Sequence, residues 1–200
     1  GDPLARPDFF ELLQTARDVG TKVALAPAVS PTLAGATLTR LHDLGVRAVS
    51  ISLDGATPAT HEGIRQVPGH FARTLASLRE LVDAGFTVQV NTTIMRRNVE
   101  ELADVAALLK ELGVHVWEVF FLVQVGRGVD VAEISPDACE DACHFLFEAA
   151  QHGFIVRTVE GPFFRRVVNA RVERTPRGGA GAAPPGHSTR AVVRAWGKGG

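Results

Sequence analysis

Two short stretches place oxygen- and nitrogen-bearing side chains at every second position. In residues 49–54, Ser50, Ser52 and Asp54 alternate with Val49, Ile51 and Leu53. In residues 88–93, Gln89, Asn91 and Thr93 alternate with Val88 and Val90. On a β-strand such alternation sends the two sets to opposite faces. One face then packs against apolar neighbours, and the other must find partners, water or a ligand. Hydroxyls, an amide and a carboxylate side by side can hold a polar small molecule, or they can bond one another in a polar core. Both readings stand at this point. His61-Glu62 follows the first stretch in an expected loop, which makes it the histidine to watch. The other histidines (42, 70, 115, 144, 152 and 187) never stand at metal-ligand spacing and read as surface or core residues. Cys139 and Cys143 share one helix face at i and i+4, among Phe145, Leu146 and Phe147. They read as buried, reduced thiols, not as a metal pair. Phosphate-loop, His-Glu-x-x-His and nucleophile-elbow motifs are missing, and Gly126-Arg127-Gly128 lacks the third glycine of a dinucleotide loop.

Positioning these residues requires regular elements, and a repeated pattern supplies them. Gly20, Gly45, Gly85, Gly113 and Gly153 each close an amphipathic stretch and precede a β-branched or aromatic run. Glycine suits the residue after a helix because that position takes positive φ. The pattern predicts helices over 8–19, 31–44, 69–84, 99–112 and 136–152. Pro7-Asp8, Ser30-Pro31, Asn98 with Glu101, and Ser135-Pro136 mark their starts. Strands are predicted over 22–28, 47–54, 86–94, 114–123 and 154–159. Helix and strand in alternation, with short connections, give parallel strands and right-handed crossovers. The expected fold class is α/β, a (β/α) barrel or a piece of one. In such a barrel the polar strand faces line the lumen. Ser52, Asp54, Asn91 and Thr93 then sit at the C-terminal strand ends, where barrel enzymes keep their active sites.

Composition bounds the rest. The chain has 200 residues, is 46% hydrophobic and has two cysteines. That suits one domain with an ample core, and excludes a disulfide framework or a four-thiolate metal site. No apolar run is long enough to span a membrane. Residues 175–200 carry four basic and no acidic side chains and ten Gly or Pro, leaving 17 basic and 22 acidic groups in residues 1–174. We therefore expect a domain over 1–174 and a basic, disordered tail over 175–200. Four charges over 26 residues are too sparse to predict nucleic-acid binding.

The order of motifs carries a resemblance. Gly1-Asp2-Pro3 is followed by Ser50-Ile51-Ser52-Leu53-Asp54-Gly55, then His61-Glu62-Gly63-Ile64-Arg65, then Asn91-Thr92-Thr93-Ile94, then Trp117 to Gly128, then Val159 to Val167. This series, over residues 1 to about 170, resembles radical S-adenosylmethionine enzymes. Its Ser-Leu-Asp-Gly, His-x-x-x-Arg and Asn-Thr-Thr set resembles the SPASM-type branch. The resemblance implies a partial (β/α)6 barrel resembling a TIM barrel, incomplete at its N-terminal end. It implies reductive cleavage of S-adenosylmethionine by a [4Fe-4S] cluster, giving a 5′-deoxyadenosyl radical that abstracts hydrogen from a substrate in the lumen. By motif match, Gly1, Asp2 and Pro3 would meet the methionyl amino group through their backbone. Ser52 and Arg65 would hold its carboxylate, Asp54 and Asn91 would line the ribose side, and Leu122 would meet adenine through its main chain. For Asp54 the rival role is a structural carboxylate bonding loop amides. Implied partners are a small-molecule or peptide substrate and an electron donor such as flavodoxin or ferredoxin. The implied location is cytoplasmic, with no nucleic acid and no membrane involved.

Departures from the family pattern bound these expectations. The cluster motif C-x3-C-x2-C would precede Gly1 and is not in this sequence. The third position after Cys139 and Cys143 is Leu146, and no cysteine follows residue 170. As written, the 200 residues are expected to be a fragment that does not hold the cluster or generate radicals by itself. Two other functions stand beside this one. One is a barrel aldolase or isomerase using Asp54 and a lumen base. The other is a non-catalytic barrel that binds a small ligand or a partner helix.

Overall fold

The computed structural model describes residues 2–122, 133–159 and 161–174. Gly1, the 126–128 segment and the expected tail over 175–200 lie outside the described residues. The elements run α1 (Phe9–Asp18), β1 (Ala24–Leu25), α2 (Ala36–Asp43), β2 (Ala48–Ser52), α3 (Pro58–Arg65), α4 (His70–Asp83), β3 (Thr87–Ile94), α5 (Leu102–Glu111), β4 (Val116–Phe121), α6 (Pro136–Gln151), β5 (Ile155–Val159) and α7 (Pro162–Arg174). The strands form one sheet in the order β1-β2-β3-β4-β5, with every neighbouring pair parallel. A sheet whose spatial order repeats its chain order is the wall of a barrel, not a doubly wound sheet.

The alternation read from the sequence sorts the two faces of this wall. Val49, Ile51, Val88, Val90, Ile94, Trp117, Val119, Phe121 and Val156 are buried on one face. Helices supply Leu13, Leu41, Leu78, Leu81, Leu109 and Leu146 to the same core. The other face carries Ser50, Ser52, Gln89, Asn91, Thr93 and Glu118, all half-buried, and the exposed Arg157. The register sets Ser52 beside Asn91, Asn91 beside Glu118, and Glu118 beside Arg157. The five recurrent glycines all take positive φ, up to 101° at Gly153. No helix among the described residues is long and apolar enough to cross a membrane.

Several boundaries differ from expectation, each for a local reason. The first strand is only two residues long, because Pro27 has no N–H to donate and the Ala28 amide turns to the Asp2 carboxylate at 3.3 Å. The helix expected from residue 31 begins at Ala36. Ser30 to Ala34 form turns instead, with the Leu33 amide bonded to the Ser30 carbonyl at 3.0 Å and the Ser30 and Thr32 hydroxyls 2.6 Å apart. Helices α3 and α7 were not expected. The signal for α3 was present in Thr57-Pro58, where the Thr57 hydroxyl accepts from the Thr60 amide and proline opens the first turn. Ser135 caps α6 as expected.

A polar pair lies inside this mostly apolar layer. Thr92 and Trp117 are both fully buried. The indole N–H of Trp117 donates to Thr92 Oγ1 at 2.9 Å, and that hydroxyl donates to the Leu53 carbonyl at 2.8 Å. Thr92→Val strands a buried indole donor and is expected to cost about 1–3 kcal/mol. Urea denaturation checks this. Adding Trp117→Phe to Thr92→Val should cost less than Trp117→Phe alone, because the donor is already unpaired.

Candidate functional site at the strand ends

Immediately after β2 the chain buries a carboxylate. Asp54 is 2% exposed. Its Oδ1 accepts from the Thr93 amide at 2.8 Å, and its Oδ2 meets Arg65 Nη2 at 2.5 Å. Its carbonyl accepts from Asn98 Nδ2 at 2.8 Å, and its amide donates to His61 Nδ1 at 3.1 Å. Of the two roles open for Asp54, this geometry supports the structural one, since both carboxylate oxygens are taken by the chain itself. Gly55 lets α3 return against the turn: a Cβ there would stand 2.8 Å from Thr60 Cβ and 2.9 Å from the His61 nitrogen.

Asn98 and Glu101 do not form the expected capping box. Asn98 Nδ2 bonds the carbonyls of Asp54 and Thr93, both at 2.8 Å, while its Oδ1 accepts from the Met95 amide. Glu101 instead accepts from the Ala56 amide at 2.7 Å and from the Thr60 hydroxyl. Two side chains that read as a helix start therefore tie the β3–α5 connection to the β2–α3 turn. Their long-range partners left no local sequence signal.

The other expected residues gather at the same end of the sheet. Asp2 accepts from the Leu4 and Ala28 amides, which sets Pro3 and its 3₁₀ turn beside the end of β1. Ser52 closes β2 and Leu122 follows β4; both are half-buried. Gly1 lies outside the described residues. Among the described residues, the Ser52 hydroxyl and the Asn91 Nδ2 have no hydrogen-bond partner, while Asn91 Oδ1 accepts from Gln89 Nε2 at 2.8 Å. The layer around Gln89 is closed: Gln89 also donates to Glu118 at 2.8 Å and accepts from Arg157 at 3.0 Å. A cleft of about 640 Å³ opens elsewhere, between α2 and α4 on the outer layer, and none of the expected site residues line it.

His61, expected in a loop, lies on α3 and is fully buried. Its Nε2 is 2.8 Å from His70 Nδ1, and the rings stack with centroids 5.0 Å apart. Burial pushes the His61 pKa down to about 4, with His70 and Arg65 adding to the shift and Glu62 opposing it. Burial also lowers that of His70, helped by Arg65 and Arg73 and opposed by Glu62 and Asp54.

Both cysteines lie on α6 as expected, but only Cys143 is buried, and Cys139 is half-buried. Cys143 is fully buried in α6, and burial pushes its thiol up to about 12, with Cys139 and Glu140 adding to the effect and Arg166 opposing it. Burial raises Cys139 as well, with Glu133 adding to it. A [4Fe-4S] cluster needs at least three protein thiolates, and this sequence has only these two, one of them fully buried, so the pair does not fit such a cluster. Among the described residues no group of three or more His, Cys, Asp or Glu could hold a metal ion. S-adenosylmethionine fits better. Among the described residues, the Ser52 hydroxyl and Asn91 Nδ2 have no partner and stand on neighbouring strands, and Arg65 has N–H groups without an acceptor, a donor set that suits carboxylate and hydroxyl oxygens.

The Radical SAM superfamily model matches residues 1–109. The AdoMet-dependent heme synthase of Methanosarcina barkeri (strain Fusaro) is 37% identical over 175 residues, covering 87% of this chain and 50% of that protein. The mycofactocin maturase MftC of Mycobacterium tuberculosis is 38% identical over 143 residues, covering 69% of this chain and 35% of that protein. In fold, the chain is similar to Streptococcus suis SuiB bound to S-adenosylmethionine, with a TM-score of 0.62 at 12% identity over 80% of this chain and 37% of that one. SuiB bound to the precursor peptide SuiA gives 0.66 at 11% over 85% and 39%. A parallel α/β wall with an open polar end thus stands beside a direct family match. The chain belongs to the radical SAM superfamily. Its relatives are SPASM-type enzymes, so the branch read from the ordered motifs is borne out as well. The chain spans about half the length of the heme synthases it matches.

Two outcomes are expected from this geometry. His61 and His70 have pKa values below the 6.5 of a free histidine, so the unfolded chain binds more protons than the folded one below that pH. Their contribution to stability is full above pH 6.5 and is lost as pH falls toward 4. Urea midpoints measured from pH 4 to 7 should rise with pH, and His61→Leu should flatten that rise. Separately, Cys139→Ser and Cys143→Ala should leave the iron content of anaerobically reconstituted protein unchanged, as read by iron assay and visible absorbance.

Proposed function

We propose that this chain is the S-adenosylmethionine-binding core of a radical SAM enzyme of the oxidoreductase or maturase type. The observation that carries the reading is the family match combined with unpaired donors at one end of the sheet. Ser52 and the free edge of Arg65 hold the methionyl carboxylate, an arrangement suited to a planar guanidinium. The Asn91 amide meets the ribose. Backbone groups of Gly1, Asp2 and Pro3 meet the amino group beside β1, and the Leu122 main chain meets adenine. Asp54, with both oxygens engaged, acts as the anchor that aims Arg65 instead of as a ribose ligand.

S-adenosylmethionine, when bound beside a reduced [4Fe-4S] cluster whose cysteine motif is not in this sequence, would supply a 5′-deoxyadenosyl radical for hydrogen abstraction, with methionine as the other product. The electron comes from a small donor of the flavodoxin or ferredoxin kind. The substrate is a small molecule such as a tetrapyrrole, or a peptide. The heme synthase names support the first, and the SuiB complex with its precursor peptide supports the second. A cytoplasmic setting suits two unpaired thiols.

Calorimetry with S-adenosylmethionine, without reductant, tests the binding step. Arg65→Gln should weaken binding about tenfold or more, the scale of a lost charged hydrogen bond. Ser52→Ala should weaken it by a smaller factor. In a longer protein that carries the cluster motif, anaerobic reduction should then yield 5′-deoxyadenosine and methionine in equal amounts, whereas these 200 residues alone should yield neither. Wild-type affinity in Arg65→Gln would count against the assignment.

A further inference from the structure

The proton positions in the buried histidine pair follow from one bond. The Asp54 backbone N–H can only donate, so His61 Nδ1, 3.1 Å away, must carry a lone pair. The His61 proton is therefore on Nε2, and it points at His70 Nδ1, 2.8 Å away. His70 Nδ1 is then the acceptor, and its own proton is on Nε2. Thr74 agrees with this order: its hydroxyl donates to the His70 carbonyl at 2.8 Å, and the 3.2 Å approach to Nδ1 is secondary. A directed chain thus runs from the Asp54 amide through His61 to the first residue of α4.

Glu62, the next residue, fixes α3 from a second direction. Its carboxylate accepts from the Gly69 amide at 2.9 Å and the Phe71 amide at 3.2 Å, at the N-terminus of α4. Helix α3 is therefore clamped between the β2 turn and the start of α4. Arg65 stands one turn after His61 on the same face of α3. It reaches Asp54 with Nη2, and its side chain is 35% exposed. Among the described residues, its remaining N–H groups have no acceptor.

We propose that His61 is a positioning residue for Arg65. A neutral imidazole, locked in its Nε2–H form between the Asp54 amide and His70, holds α3 where Arg65 keeps one edge on Asp54 and offers the other to a ligand carboxylate. The clamp rests on the reading of Ser52 and Arg65 as the carboxylate site, and it adds a residue that touches no ligand. Its neutrality matters because a proton on Nδ1 would set two donors against each other at Asp54. The charged and titratable groups around it are Asp54, Glu62, Arg65, His70 and Arg73.

The test uses the whole protein. Two-bond ¹H–¹⁵N spectra of the histidine rings at pH 7 should show His61 and His70 both as neutral Nε2–H tautomers. A protonated or Nδ1–H form of His61 would overturn the proposal. Three variants are then compared by S-adenosylmethionine calorimetry, with thermal melts to establish folding. His61→Leu removes both bonds and should weaken binding about tenfold, while His61→Asn keeps an acceptor at the Nδ1 position and should recover most of that loss. Arg65→Gln reports on the carboxylate site itself. If Arg65→Gln weakens binding and a folded His61→Leu does not, the positioning role is wrong and the site stands. If Arg65→Gln binds as wild type, the site reading falls, and the proposal with it. If His61→Leu does not fold, His61→Asn decides: loss equal to that of Arg65→Gln overturns the acceptor argument, and near-wild-type binding supports it.

Discussion

A carboxylate taken almost wholly out of water must be surrounded by donors, and Asp54 draws its donors from segments far apart in the chain. The Thr93 amide is 39 residues away and Arg65 is 11 away, while Asn98 bonds its carbonyl from 44 away. Leaving such a charge buried without partners would cost several kcal/mol. The ends of β2 and β3, the last turn of α3 and the turn before α5 are therefore obliged to meet at one point. Gly55 follows from this, because only a residue without Cβ lets α3 fold back that closely. The alignment of strand ends that makes a site possible is thus a consequence of hydrogen-bond demand at a single side chain.

With the strand ends fixed, the lumen face divides into a closed layer and an open one. Gln89 uses both amide protons, on Asn91 and Glu118, and its carbonyl accepts from Arg157. That layer needs no ligand. Above it, the half-buried Ser52 hydroxyl and Asn91 Nδ2 and one edge of the exposed Arg65 have no partner among the described residues. Polar groups at that depth are met either by water or by a ligand. The residues expected to bind lie on this open layer, while the 640 Å³ cleft between α2 and α4 lies among the outer helices.

The strands and most helices were legible because their signals are local. Alternation at 49–54 and 88–93 is a property of adjacent residues, and so is a glycine with positive φ after each helix. The gathering of Ser52, Asp54 and Asn91 at the strand ends was legible in the same alternation, and Arg65 joined them only through motif order. What the sequence could not reveal was which of two polar roles each residue takes. Asn98 and Glu101 have the spacing of a capping box, yet both reach a turn more than 40 residues away. His61 looked like a loop residue because Thr57-Pro58 was not read as a helix start. Its pairing with His70 depends on α3 and α4 packing at an angle that no periodicity reports.

The choice of arginine at position 65 shows how one residue serves both fold and site. A lysine has a single ammonium group, and with Asp54 beside it that charge would be neutralised at one point. A guanidinium spreads its five donors over a rigid plane, so engaging Nη2 with Asp54 orients the rest without consuming it. The inward bond also removes rotamer freedom that a ligand would otherwise have to freeze, which is where preorganised sites gain affinity. Under the proposed carboxylate site, the buried Asp54 and the more exposed Arg65 are therefore parts of one device. The fold holds the anion, and the anion holds one end of the fork.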